Sequence, residues 1–245
     1  MRHKKLKWTM FVITAVGNFI AMLDSTSVNL ALYPMARDLH VTMGQIQWVM
    51  IAYMLILTVF LPFFGKLGDI FPKNKLYTTG FLLFGIGAFL NTTAPTFPLL
   101  IAYRCLEAIG ASILLSNGQA IIASIFKKER RGKALGLNGC IVAIGGMSGP
   151  ALGGILINYF GWHSVFYPCV IVAIFGVIYS FRMLPRSVKT DIKNFKFDYR
   201  GFFYFTVSLF ALLLAISEGH SWGWNSIRII VLGIDRKSTR LNSSH

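Results

Sequence analysis

Charged residues are few in this sequence, and acidic residues are especially few. Only 13% of the 245 residues are charged, and 9 Asp and Glu residues stand against 24 Lys and Arg residues. Soluble domains have about twice this share of charged residues, so the composition excludes an ordinary soluble domain. The hydrophobic share of 55% and the mean hydropathy of +0.61 instead indicate a chain whose solvent is lipid.

Cysteine is also scarce, which limits the kinds of site that the chain can hold. Cys105, Cys140 and Cys169 are an odd number, have no CxxC spacing, and each lie within an apolar run. We therefore predict neither a disulfide framework nor a zinc site. We interpret all three as small core residues.

Signatures of common enzyme and metal sites are missing from the sequence. It has no GxxxxGK[ST] phosphate loop, no HExxH and no GxSxG, and its histidines lack metal-ligand spacing. We predict that the chain is not an enzyme and uses no metal ion or cofactor. A glycosylation sequon begins at Asn91, and we interpret it as a chance match.

Long apolar runs are the main feature that the sequence does have. An α-helix needs about 20 mostly apolar residues to cross a membrane. Seven runs approach or exceed that length, and an eighth begins at Ile227. They cover residues 8–32, 48–64, 76–94, 99–126, 134–159, 165–184 and 201–217. The sequence therefore predicts an all-α polytopic membrane protein.

The basic residues between these runs predict the orientation of the chain. If the amino terminus is cytoplasmic, the outer segments hold only Arg37 and Arg228, and the inner segments hold eighteen basic residues. This asymmetry matches the positive-inside rule, so we predict a multi-pass protein of the cytoplasmic membrane with a cytoplasmic amino terminus. The net charge of +15 then reflects orientation, and we predict no nucleic-acid partner.

We predict four parts along the chain. Residues 1–184 form an amino-terminal six-helix bundle, and residues 185–200 form a basic cytoplasmic linker suited to anionic lipid headgroups. Residues 201–234 contain the seventh helix and a truncated eighth. Residues 235–245 resemble the in-frame translation of a sequencing adapter, so we expect the native protein to continue beyond residue 234.

Asp24 lies well inside the first apolar run, where a carboxylate is costly. Insertion scales give a penalty of roughly 2.5 to 3.5 kcal/mol unless the group faces protein or water. One interpretation is a protonatable or cation-attracting group that lines a cavity. The alternative is a carboxylate that hydrogen-bonds a neighbouring helix and only fixes the packing.

Arg104 and Glu107 lie three residues apart in the fourth run, so they share a helix face and can pair. Making and breaking such a pair could couple proton binding to a change of conformation. The alternatives are a static clasp between helices, or an Arg104 side chain that extends to the membrane interface.

The fifth run carries a stripe of glycines around a proline. Gly145, Gly149 and Gly153 repeat every four residues, with Pro150 and Gly154 beside them. Small residues let two helices approach closely, and a proline removes an amide donor. The pattern predicts a hinge or a tight seal between moving parts, although ordinary helix packing would explain the glycines alone.

The segment between the second and third runs contains Gly65, Asp69 and Lys73. We predict a short cytoplasmic loop in which Asp69 caps a helix or pairs with a basic residue.

These segments together resemble the major facilitator superfamily. The loop resembles the family's signature between helices two and three, with Ile70 and Pro72 replacing the usual Arg and Gly. The segment 104–110 is similar to the fourth-helix motif, whose arginine is implicated in proton coupling. The segment 145–154 resembles the fifth-helix antiporter motif, which is typical of exporters.

Two further segments narrow the resemblance to drug:proton antiporters with fourteen spans. Residues 23–32 resemble the first-helix motif of that family, and residues 197–201 with 219–224 resemble its seventh-helix region. The resemblance implies the amino-terminal part of a multidrug efflux transporter that is energised by the proton gradient. Asp24, Arg104 and Glu107 would then be its proton-coupling residues.

The same resemblance implies the partners of the protein. They are the lipid bilayer, the proton and a small amphipathic or cationic drug-like substrate, and the sequence leaves the need for a periplasmic or outer-membrane adaptor open. Transport of a sugar, an amino acid or a metabolite on the same scaffold is the alternative. A membrane receptor or enzyme that keeps the fold without transport also remains open.

Overall fold

The computed structural model describes residues 2–184, 201–202 and 204–209. This part of the chain is helical and contains no strand. The chain divides into a first compact unit over Met1–Asp191 and a second over Ile192–His245. The helices of the first unit are α1 Arg2–Asp38, α2 Met43–Ile46, α3 Trp48–Ile70, α4 Lys73–Asn91, α5 Phe97–Ile125, α6 Lys128–Phe160 and α7 Tyr167–Met183, with a 3₁₀ helix over Trp162–Phe166 before α7.

Each of the first six apolar runs coincides with a helix of this unit. Within the described residues, five helical segments are long and apolar enough to cross a membrane: Leu6–Asp38, Met43–Ile70, Phe97–Ile125, Lys128–Phe160 and Trp162–Met183. The third run corresponds to α4, which has only 19 residues. Lys73 and Lys75 in its first turn and Asn91 at its end shorten the apolar part of α4, which is not among these five segments.

Several helices are longer than the apolar runs that predicted them. The 33 residues of α6 span about 50 Å at 1.5 Å per residue, whereas the hydrocarbon core of a bilayer is about 30 Å thick. The polar ends of α6 therefore extend beyond the hydrocarbon, which hydropathy alone does not reveal.

The packing places α1 and α5 at the centre of the unit. α1 packs against α5, α6 and α7, and α5 also packs against α3 and α4. Large buried side chains fill the space between them, among them Tyr77, Phe81 and Phe84 of α4 and Phe166 before α7. Asp24 on α1 and Arg104 and Glu107 on α5 are thus enclosed by protein.

The loop predicted between the second and third runs is mostly helix. α3 continues through Gly65 and Asp69 to Ile70, and only Phe71 and Pro72 separate it from α4. Residues 65–70 contain no proline, and α3 continues through Gly65 and Gly68, whereas the residue before Pro72 is biased away from helical geometry. The prediction of a loop over residues 65–75 is therefore wrong for all of its residues except Phe71 and Pro72.

The predicted division into four parts stays a prediction. The basic linker at 185–200, the truncated eighth helix and the terminal segment 235–245 lie outside the described residues. Residues 201–202 and 204–209 of the seventh run are helical.

Candidate functional site

Three charged side chains meet at the centre of the first unit. The Arg104 Nη1 atom lies 2.8 Å from Asp24 Oδ2 and 2.7 Å from Glu107 Oε2, and all three side chains are 0% exposed. Asp24 comes from α1, and the other two come from α5. One guanidinium nitrogen therefore holds two carboxylates, one within its own helix and one across the contact between α1 and α5.

The amide of Asn91 completes the coordination of Glu107. Asn91 Nδ2 donates a hydrogen bond of 2.7 Å to the same Oε2 atom that Arg104 contacts. Asn91 reaches this atom because α4 and α5 lie very close together. A Cβ atom on Gly87 would lie 2.6 Å from the backbone nitrogen of Glu107, so only glycine allows this approach.

Aromatic rings enclose the guanidinium of Arg104. Its Cζ atom lies 4.1 Å from the centre of the Tyr53 ring on α3 and 5.7 Å from that of Phe166. Both rings are fully buried. A cation over an aromatic face is attracted by the ring quadrupole, and the rings also keep water away from the charges.

Several polar atoms around this cluster have no hydrogen-bond partner within the part of the chain that the structure describes. They are Arg104 Nε and Nη2, Glu107 Oε1, Asn91 Oδ1 and the Tyr53 hydroxyl. Buried polar groups in proteins are almost always hydrogen-bonded. These donors and acceptors are available to bind a polar group of a ligand. They are also available to form hydrogen bonds in a different arrangement of the helices.

The cluster also offers the ligand types that a cation needs. Asp24, Glu107 and Cys169 each contribute one ligand atom within 4.8 Å of the others, and Cys169 Sγ donates a weak hydrogen bond to Asp24 Oδ1 at 3.8 Å. Arg104 occupies the other oxygens of both carboxylates. A bound cation would therefore compete with the guanidinium for the same negative charge.

The glycine stripe lies against α1, on another side of that helix. A Cβ atom on Gly145 would lie 2.7 Å from the Phe19 carbonyl, and one on Gly149 would collide with the Thr26 hydroxyl. A Cβ atom on Gly153 would lie 3.1 Å from Ser27. The Ser27 hydroxyl donates a hydrogen bond of 2.9 Å to the Gly149 carbonyl.

The two neighbours of the stripe do not take part in this contact. Pro150 is exposed, and a Cβ atom on Gly154 would meet only the Leu30 side chain at 3.8 Å. α6 continues through Pro150 from Lys128 to Phe160. The stripe is therefore a close helix contact of three glycines, and the predicted hinge at Pro150 stays a prediction.

α1 connects the charged cluster to the glycine stripe over a very short distance along the chain. Asp24 contacts Arg104, while Thr26 and Ser27 contact α6 at Gly149 and Gly153. A shift of α1 that changes one contact must change the other, because a helix transmits displacement over two or three residues almost rigidly.

The residues of the predicted loop lie apart from this cluster. Burial lowers the pKa of Lys73, and the nearby charge of Asp69 opposes that shift. A Cβ atom on Gly65 would make only an ordinary contact with Ser116 at 4.0 Å. The tight position is instead Gly68, where a Cβ atom would collide with the side chain of Asn117 on α5.

Sequence reasoning did not find four residues of the cluster or its surroundings. Asn91 was interpreted only as a chance sequon, and Cys169 only as a core residue, while Tyr53 and Phe166 gave no signal among many aromatic residues. Cys169 is buried as predicted, but Cys140 is exposed and Cys105 is half-buried, so the core interpretation is wrong for Cys140. The one sequence feature that pointed to any of these four residues was that Asn91 is a polar residue near the end of a span.

Comparison with known families gives a match over most of the chain. The model of the Major Facilitator Superfamily matches residues 14–234. The riboflavin transporter RibZ of Clostridioides difficile (strain 630) is 41% identical over 214 residues, which are 87% of this chain and 47% of that protein. Multidrug resistance protein 3 of Bacillus subtilis (strain 168) is 31% identical over 229 residues, which are 92% of this chain and 44% of that protein.

A solved structure supports the same fold. A crystal structure of the peptide transporter POT in complex with sulfate aligns with a TM-score of 0.66 at 15% identity, covering 93% of this chain and 48% of that one. At this identity the likeness concerns the fold alone. The chain spans about half the length of the curated relatives it matches.

Proposed function

The chain belongs to the major facilitator superfamily, a family of membrane transporters, and we propose that it supplies the first half of a proton-coupled multidrug exporter. The greater length of its relatives supports a second bundle in the whole protein. In this proposal the substrate binds between the two bundles near the midplane of the membrane, and rocking of the bundles exposes it to either side.

The observation that carries this proposal is the buried cluster of Asp24, Arg104 and Glu107. Two ionised carboxylates around one guanidinium leave one negative charge unbalanced at a site with no exposure. A net charge in such a place is expensive, and a single proton on either carboxylate makes the cluster neutral. The cluster is therefore suited to bind and release one proton.

The positions of the two carboxylates suggest different roles for them. Glu107 Oε1 has no hydrogen-bond partner within the described residues, so a proton there leaves the bonds of Oε2 to Arg104 in α5 and to Asn91 in α4 in place. Asp24 bonds Arg104 across the contact of α1 with α5, so a proton on Asp24 Oδ2 weakens a contact between two helices. We assign the coupling proton to Asp24, with Glu107 and Asn91 holding the guanidinium in place.

The contact of α1 with α6 provides a route from the proton to the movement. When Asp24 loses its bond to Arg104, α1 can shift along the three glycines of α6, where α6 presents only backbone. The bond from Asn18 to Asn138 joins the same two helices and must adjust with the shift. Protonation can shift a conformational equilibrium only if the two packed states differ in their affinity for the proton. In this proposal, the two positions of α1 relative to α6 are such states.

The direction and the substrate rest on similarity. The resemblance of residues 145–154 to the antiporter motif supports export, and the relative in Bacillus subtilis named as a multidrug resistance protein supports an amphipathic or cationic drug-like substrate. The proton gradient would supply the energy, with no cofactor. The basic residues between the helices support a cytoplasmic amino terminus.

Riboflavin or another small metabolite is the second candidate substrate. It is favoured by the relative named as a riboflavin transporter, which is 41% identical over 87% of this chain. An assay in which a cationic dye and riboflavin compete would separate the two. Export of the dye without inhibition by riboflavin supports the drug substrate, and uptake or export of riboflavin alone supports the metabolite.

The proposed coupling is tested by Asp24→Asn in the full-length transporter, assayed in inverted membrane vesicles. We expect proton-driven substrate transport to fall at least about tenfold, because the interhelical bond can no longer be switched by a proton. Asp38→Asn is the matched control, since Asp38 ends the same helix and bonds Trp162 through an oxygen that Asn retains. Undiminished proton-driven transport by Asp24→Asn would refute the coupling role.

A further inference from the structure

A groove with a basic and aromatic lining lies at the end of the unit where α1 and α6 begin. It has a volume of about 810 Å³ and is lined by Lys7, Trp8, Phe126, Lys127, Arg130, Lys133, Ala134 and Leu137. Four of these eight residues carry a positive charge, and none of the described residues that line it is acidic. Nothing in the proposed transport mechanism uses this groove.

Aromatic rings pack against one another at the floor of the groove. Trp8, Phe11 and Phe126 form three edge-to-face pairs with ring centres 5.5 to 6.0 Å apart. Below them, Phe11, Ile122 and Ala134 belong to a small buried cluster that joins α1, α5 and α6. The groove is thus built on packed side chains from three helices.

The start of α6 adds to the positive potential of the groove. Its N-cap residue is Lys127, whose side chain makes no capping hydrogen bond. The first turn of a helix presents amide hydrogens and a partial positive charge, a combination that binds phosphate and other anions. Glu129 lies in the same turn but does not line the groove.

The groove also has an apolar side. Trp8 is 45% exposed and Leu137 is 42% exposed, and both lie beside the basic residues. A free phosphate ion would contact only the basic residues of the groove. A phospholipid would contact them with its phosphate and would also place its acyl chains against the apolar side. Basic pockets between transmembrane helices at the membrane surface suit such headgroups, and Trp is favoured at the same level.

We propose that this groove binds the phosphate of an anionic phospholipid headgroup, with the acyl chains lying along Trp8 and Leu137. Under the proposed orientation, the site faces the cytoplasmic leaflet. The site differs from the predicted basic linker at 185–200, which lies outside the described residues.

Native mass spectrometry of the full-length protein, titrated with phosphatidylglycerol or phosphatidylcholine, tests this site. The variant Arg130→Gln/Lys133→Gln removes two charges that line the groove. The matched control Lys128→Gln/Arg131→Gln removes two charges from the same turn of α6 that do not line it. We expect phosphatidylglycerol to bind more tightly than phosphatidylcholine, and the groove variant to weaken phosphatidylglycerol roughly tenfold while the control changes it less than about twofold.

Lys7→Gln removes a groove charge from α1 and provides an independent variant, which we expect to weaken phosphatidylglycerol roughly threefold. Equal losses of phosphatidylglycerol affinity in the groove variant and the control would overturn the proposal, because binding would then depend on the overall charge of the protein and not on the groove. Complete competition by millimolar inorganic phosphate would also overturn it, because a free anion would then be the ligand. A thermal unfolding midpoint within about 2 °C of the parent protein verifies that each variant is folded.

Discussion

At the scale of single residues, the arrangement around Arg104 explains how three charges are kept in an apolar interior. Each carboxylate receives a charge-assisted bond from the same nitrogen, and Asn91 adds a neutral donor to Glu107. The ring of Tyr53 covers one face of the guanidinium. Removing one member would leave the others buried and only partly paired, which is strongly destabilising in proteins.

Glu107→Gln separates the roles of the two carboxylates. The carbonyl oxygen of Gln accepts the bonds from Arg104 and Asn91, so the helix contact is retained. We expect this variant to keep proton-coupled transport within about threefold of the parent protein, in contrast to the large loss for Asp24→Asn. Both variants are measured in the same vesicle assay at equal protein levels. If Glu107→Gln loses transport and Asp24→Asn keeps it, the assignment of the coupling proton to Asp24 is wrong.

Part of this cluster follows from the sequence and part does not. The pair of Arg104 and Glu107 follows from helical spacing, because residues three apart share a face. The bond from Arg104 to Asp24 joins residues 80 positions apart, and a single sequence does not say which faces of two helices meet. The alternative of an Arg104 side chain at the membrane interface is excluded by its complete burial. Asn91 was missed because a polar residue at the end of a helix has many ordinary explanations.

At the scale of helices, the contact of α1 with α6 has the geometry of a sliding surface. Three glycines four residues apart present only backbone to α1. Hydrogen bonds join the two helices, one from Ser27 to the Gly149 carbonyl and one from the Asn18 amide to the Asn138 side chain. Because α6 contributes no side chain at these three positions, we expect a low barrier to small displacements of α1 along them. This property suits a contact that must exist in two positions.

Gly149→Ala tests the contact directly. The added methyl group would collide with the Thr26 hydroxyl and approach the Leu23 carbonyl to 2.9 Å, so α1 and α6 must separate. We expect a loss of about 1 to 3 kcal/mol in stability, measured by thermal unfolding, together with a loss of transport. Gly154→Ala is the control, because its added methyl group would meet only the Leu30 side chain at 3.8 Å. Equal effects of both substitutions would contradict the assigned contact.

The helices themselves could be predicted well, and their ends less well. All six apolar runs before residue 184 correspond to helices, because length and apolarity decide whether a segment crosses a membrane. The predicted loop at 65–75 shrank to two residues because charged side chains at the end of α3 do not stop a helix. Polar helix ends outside the hydrocarbon look like loops in a hydropathy pattern.

At the scale of the whole molecule, we propose that the described helices supply one side of a transport pathway. The family match and the fold both point to a multi-pass membrane transporter, and the curated relatives are about twice as long as this chain. In the proposed mechanism the second bundle provides the opposite wall of the cavity. Asp24 and the glycine stripe lie together on α1 and its neighbour, so the first bundle contains the proposed switch.

The orientation of the chain in the membrane and the identity of the substrate are also properties of the whole molecule. Different kinds of information are needed to predict them. The distribution of Lys and Arg predicts a cytoplasmic amino terminus from sequence alone. The choice between a drug and a metabolite depends on cavity residues from both bundles, so one half of the protein cannot determine it. The fold was therefore predictable from the sequence, whereas the substrate was not.

The most direct test of the account is the proton release that accompanies substrate binding to the purified full-length transporter in weakly buffered detergent solution. We expect saturating substrate to release up to one proton per molecule from the parent protein. We expect none from Asp24→Asn, which should still bind the substrate. Equal proton release from the parent protein and from Asp24→Asn would contradict the claim that Asp24 carries the coupling proton.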